Sequence, residues 1–125
     1  MKYLCLAYYH EEKFDKLTPR ERAAIGTECK SHDEELHATG GLLLVASLGA
    51  TRVTTSIRPR NGKTEVTDGP YVETKEQLGA FFLIEAADLN DAIRIASKHP
   101  AAILNEHLGW GIEVRPIDYF EQAAP

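Results

Sequence analysis

The sequence predicts an α+β domain in which two helices cover one face of an antiparallel sheet. Three observations predict it. Short apolar runs at residues 2–9, 42–48 and 79–86 have the length of strands and are too short for most helices. Two segments with helix start and stop signals follow the first and the last of these runs. An Asn61-Gly62 pair separates two further short segments, which is a strong hairpin signal.

The elements follow in order. Residues 2–9 (KYLCLAYY) are aromatic-rich and apolar, as in a buried strand. A polar stretch containing Glu11, Glu12 and Lys13 comes next. Thr18 caps a helix that Pro19 opens, and Glu21, three residues on, completes a capping box. This helix is expected to reach about Thr39, where Gly40 and Gly41 end it. Residues 42–48 (LLLVASL) form a second buried strand. Residues 52–58 alternate in polarity, Pro59-Arg60-Asn61-Gly62 turns the chain, and residues 63–67 pair back. Asp68-Gly69-Pro70 makes a further turn. Residues 79–86 (GAFFLIEA) are the most apolar strand. Asp88 caps a second helix with Leu89, Ala92, Ile93 and Ala96 as its stripe; Lys98 and His99 suit its C-terminal end and Pro100 stops it. Residues 111–117 form the last strand.

Without the hairpin the order is βαββαβ, the ferredoxin-like split motif. Two helices cover one face of such a sheet. The strands at 2–9, 42–48 and 80–86 are apolar at nearly every position, so the other face also needs shelter from water. The expected architecture is a homodimer packed sheet to sheet, as in dimeric α/β barrels; the alternative is a monomer whose hairpin and tail cover the second face. Residues 1–121 read as a single domain and 122–125 as a loose tail.

Composition narrows the function. The 125 residues carry 14 basic and 19 acidic side chains, a net charge of −5, with 43% hydrophobic residues. That is an ordinary globular balance. The acidic balance argues against a nucleic-acid binder, which gains affinity by neutralising phosphates. No run approaches the roughly 20 apolar residues of a membrane span. Two cysteines make no disulfide framework. With no signal-peptide pattern at the start, the expected location is the cytoplasm.

The segment Asp68-Gly69-Pro70-Tyr71-Val72-Glu73-Thr74-Lys75-Glu76-Gln77-Leu78-Gly79 resembles the hallmark of the DGPF branch of the YCII-related family. It departs from the usual form at Tyr71, Val72 and Ala80. Glu113-Val114-Arg115-Pro116 is similar to the family's last strand. The resemblance implies the ferredoxin-like fold and dimerisation. It also implies kinship with muconolactone-isomerase-like proteins, and some members of the wider YCII-related family carry a His–Asp pair proposed as catalytic. One family member acts on chlorinated aromatics. Branch members are commonly encoded beside extracytoplasmic-function sigma factors, which makes such a factor a candidate partner.

His32 and Asp68 are the candidate catalytic residues. Ile25, Cys29, His32 and Leu36 lie on one helical face, so His32 is directed towards the sheet. An imidazole there titrates near neutrality and suits acid–base work; the plainer alternative is a buried histidine bonded to a backbone carbonyl. Asp68 either orients His32 or makes the local backbone bond common in Asp-Gly turns. Tyr71, Glu73, Lys75 and Arg115 are candidate ligand contacts. Glu73 and Lys75, with Glu76, either face the ligand or pin their loop to Arg115 or a second subunit. Arg115 either pairs with a carboxylate or clamps an anion. Asp33 with His37 and Cys29 with His32 each offer two metal ligands, short of a zinc site, so no metal is expected. The chain is thus expected to hold a small molecule between the first helix, the sheet and the Asp68–Glu76 loop, for acid–base or hydrolytic chemistry without a cofactor. The alternative is a non-catalytic accessory protein of sigma-factor regulation.

Overall fold

The computed structural model describes all 125 residues. Their order is β1 (Lys2–His10), α1 (Glu11–Asp15), α2 (Pro19–Ala38), β2 (Leu42–Ser47), β3 (Thr55–Arg60), β4 (Lys63–Asp68), β5 (Glu76–Glu85), α3 (Leu89–Ala96) and β6 (Gly111–Pro116). Short 3-10 turns occupy Thr51–Val53, Pro100–Ala102 and Glu106–Leu108. The fold class is α+β. A four-stranded antiparallel sheet runs β2-β5-β1-β6, and β3 and β4 form a separate two-stranded sheet.

Local chemistry sets most boundaries. Thr18 accepts from the Glu21 N–H at 3.1 Å, and the Glu21 carboxylate accepts from the Thr18 N–H at 2.9 Å, so the capping box starts α2 as expected. Ile25, Cys29, His32 and Leu36 are the only residues of α2 that are not exposed, which matches the stripe in the sequence. The hairpin turns on Asn61 and Gly62, with φ of 51° and 77°, the left-handed pair that a two-residue turn between right-twisted strands demands.

Four expectations are corrected. The first strand of the hairpin starts at Thr55, because Thr51–Val53 closes as a 3-10 turn through a 3.0 Å bond from the Thr54 N–H to the Thr51 carbonyl. Strand β5 starts at Glu76 rather than residue 79, because β1 runs on to His10 and pairs with it. The stretch after β1 contains α1, which His10 caps by accepting from the Lys13 N–H through Nδ1 at 3.2 Å. Helix α3 buries Ala92, Ile95 and Ala96, while Leu89 and Ile93 face solvent. It ends at Ala96, so His99 belongs to the next turn.

Tyr3 and Cys5 of β1, Phe82 and Ile84 of β5, Leu36 of α2 and Ala92, Ile95 and Ala96 of α3 form one core. Side chains alternate across a strand. The opposite face therefore carries two cross-strand rows: Leu44–Leu83–Leu4–Arg115 and Ala46–Phe81–Leu6–Glu113. The buried side chains of α2 and α3 belong to the first face.

Ile84 is fully buried at the centre of this core. Ile84→Ala is expected to cost about 2–5 kcal/mol of stability in urea denaturation. Val66→Ala, on the exposed hairpin, is expected to change it by less than about 0.5 kcal/mol.

Candidate active site

A cavity of about 500 Å³ lies under α2. Its roof is Cys29, Asp33, Leu36 and His37 of α2. Its floor comes from Ala7 and Tyr9 of β1, Gly79 and Ala80 of β5, and Val45 and Ser47 of β2. Phe14, Trp110, His99, Pro100 and Ala101 close its sides. The volume falls in the usual small-molecule range of roughly 300–1,000 Å³.

The wall at the α1 end is fixed by a polar relay. The Tyr9 ring meets Phe14 edge-on, with centroids 5.6 Å apart. Its hydroxyl donates to Glu11 at 2.9 Å, and Glu11 also accepts from the Thr51 N–H at 2.9 Å and from the Thr51 hydroxyl. Burial acts against the Glu11 anion, but these bonds together hold its carboxyl below the ordinary value. Burial, followed by the bond to Glu11, pushes the Tyr9 hydroxyl up to about 12. The Tyr9 ring lies so close over Gly79 that a Cβ there would come within 2.7 Å of a ring carbon. A register shift between Ala7 and Tyr8 gives β5 the extra residue that makes this fit.

The two histidines of the cavity are held in opposite tautomers. His99 stacks on Phe82, with centroids 4.7 Å apart and planes 2° apart, and its Nδ1 accepts from the Ala101 N–H at 3.0 Å. A neutral ring that accepts at Nδ1 carries its proton on Nε2. His37 does the reverse. Its Nδ1 lies 2.8 Å from the Asp33 carbonyl oxygen, an acceptor only, so Nδ1 bears the proton and Nε2 keeps a lone pair. Neither Nε2 has a partner within the protein. Burial lowers the pKa of His99 below its ordinary 6.5, and the Asp33 carboxylate partly opposes that. The Asp33 side chain makes no hydrogen bond or ion pair of its own, while burial, then Asp33 and Glu28, push the Cys29 thiol up and keep it protonated. No three His, Cys, Asp or Glu side chains converge as a metal site.

The residues singled out in the sequence lie elsewhere. His32 is half-buried on the inner stripe of α2, with its Nδ1 sealed and unpaired, and does not line the cavity. Asp68 ends β4 on the hairpin, exposed, and no bond joins it to His32. Gly69, next to it, has φ +107° and donates to the Thr54 carbonyl at 2.8 Å. Tyr71 is 60% exposed and sits under the Arg58 guanidinium, 3.9 Å from the ring centroid. Glu73 and Lys75 are exposed and unpaired. Arg115 pairs with Glu113 on its own strand. One signal for His99 was present in the sequence. A residue before proline is pushed out of helical space, so the His before Pro100 leaves α3 and, at ψ 140°, caps the turn that follows.

The fold and cavity thus define a small α+β protein with an apolar chamber and two histidines of opposite polarity. The chain belongs to the YCII-related family, whose domain profile matches residues 1–117. It is similar to Uncharacterized protein R00369 of Rhizobium meliloti (strain 1021), at 32% identity over 121 residues, 97% of this chain and 95% of the relative.

Stability should depend on pH through His99. Its folded pKa is lowered, so the unfolded chain takes up a proton first as pH falls below 6.5. Stability is then complete above 6.5 and is lost as pH falls towards the folded pKa. The carboxyls of Glu11, Glu85 and Asp91, held below 4.5, 4.5 and 3.8, titrate outside this window. A melting temperature that falls from pH 7 to 5 in the wild type, with a flatter profile in His99→Asn, is the expected result.

Proposed function

We propose that the cavity under α2 binds a small organic molecule and moves a proton on it, with His37 as base and His99 as acid. The fixed, opposite tautomers carry this reading. The lone pair on His37 Nε2 takes a proton from a carbon next to a carbonyl. The C–H electron pair becomes the new C=C bond. The proton on His99 Nε2 meets the oxygen that gains charge. Ring stacking and the Ala101 N–H hold His99 in that role before substrate arrives. Deprotonation next to a carbonyl serves isomerisation, or elimination where a leaving group is adjacent. We favour His37 and His99 over His32 and Asp68 for this role because only the former line the cavity.

Around this site we assign a ferredoxin-like fold, supported by the order β2-β5-β1-β6 once the hairpin is set aside. We read residues 1–121 as one cytoplasmic domain of the DGPF branch with residues 122–125 as a tail. The accessory role beside a sigma factor draws on that branch alone. The rows Leu44–Leu83–Leu4 and Ala46–Phe81–Leu6 favour a homodimer through the sheet face that the helices leave bare.

Three measurements test these readings. Long-range ¹H–¹⁵N spectra of the imidazoles at pH 7.5 should show His37 as the Nδ1–H tautomer and His99 as the Nε2–H tautomer; the same tautomer at both ends the acid–base assignment. With enolisable ketones and lactones in D₂O, exchange at the α-carbon should drop at least about 100-fold in His37→Gln and in His99→Asn, the range one general acid or base supplies. Sedimentation should give a particle of twice 13.9 kDa, and Leu6→Lys should return it to one chain.

A further inference from the structure

The chemistry of the cavity wall limits what it can hold. Of the side chains that line it, Asp33 alone carries a fixed charge, and no lysine or arginine is among them. That carboxylate has no partner in the protein. The last turn of α2, through Leu36 and His37, faces the same space, and the C-terminal end of a helix favours positive charge. The whole chain adds a net charge of −5. The nearby cations are already engaged. Arg22 lies over the Phe14 ring at 4.8 Å and donates to the Phe14 and Asp15 carbonyls, while Arg52 acts on Glu11 and Tyr9. A carboxylate or phosphate entering the cavity would meet Asp33 with no cation to compensate it. The remaining lining is small or aliphatic apart from Ser47 and the aromatic rings, among them Tyr9, Phe14, Trp110 and the His99 imidazole. Such faces suit a flat ring, and their negative centres also attract a cation.

We infer that the cavity takes an arylalkylamine in its protonated form, with the ring between the aromatic walls and the ammonium on the Asp33 carboxylate. This rests on the cavity being the ligand site proposed above. It names the class of ligand and leaves His37 Nε2, one helical turn from Asp33, free for the reacting proton.

Three indoles of nearly equal shape test it: tryptamine, tryptophol and indole-3-acetate, cationic, neutral and anionic at pH 7.5. Each is titrated into the full chain while backbone amide shifts are followed. Tryptamine should shift the amides of Tyr9, Asp33, Gly79 and Ala101 and bind at least ten-fold tighter than tryptophol, with indole-3-acetate weakest. Asp33→Asn should bring tryptamine down to the affinity of tryptophol and leave tryptophol unchanged. If indole-3-acetate binds tightest, if the three bind alike, or if Asp33→Asn keeps the preference, the ligand class is wrong and the cavity remains a site. If none of the three moves the cavity amides, the ligand class falls together with the site itself.

Discussion

Helix α2 rests on the sheet through a thin contact. Of its 20 residues only Leu36 is fully buried. The other inward positions, Ile25, Cys29 and His32, are half-buried and include one small thiol and one imidazole. A helix with a full stripe of leucines at these places would settle onto Ala7 and Ala80 and leave nothing between. Here the small residues of the sheet, Ala7, Gly79 and Ala80, lie opposite a sparse helical face, and the difference in volume is the cavity. Stability comes from the other end of the sheet, where Phe82, Ile84 and Ile95 are close-packed. The molecule thus divides its inner face into a packed half that holds it together and an open half that leaves the cavity.

Phe82 joins the two halves. It is fully buried in the core, and its ring is the surface on which His99 stacks. The imidazole is thereby tied to the most rigid part of the structure, while its Nε2 stays free. His37 is held more lightly, by a carbonyl one turn back on an exposed stretch of α2. His99 is fixed by packing, and His37 by one local hydrogen bond. That contrast fits the proposed roles, in which the group that meets the oxygen is preorganised and the base adjusts to different protons.

Much of the fold was legible in the sequence because its signals are local. The Thr18–Glu21 box, the Asn61-Gly62 turn and the stripe from Ile25 to Leu36 each depend on residues a few positions apart. What escaped were features set by distant pairing. His10 extends β1 because Glu76 lies opposite, and α1 forms in a five-residue stretch with no apolar stripe. The site was less legible for a related reason. His32 is on the inward face, as its spacing requires, but the cavity lies to the side of α2 that carries Asp33 and His37. Which flank of a helix is left open depends on what packs beside it. The Asp68–Glu76 segment carries the family resemblance, yet only its continuation at Gly79 reaches the cavity.

The register shift in β5 has a consequence for the chamber itself. Tyr8 pairs with Leu78 and Ala7 with Ala80, so Gly79 is the surplus residue, and Leu78 falls on the outward side. Were the bulge ironed out, with Gly79 paired to Tyr8, plain alternation would carry Leu78 across to stand opposite Tyr9. An isobutyl plug would then occupy the floor where a bare backbone now lies. Whether this protein has an interior to offer at all comes down to one position of strand phase.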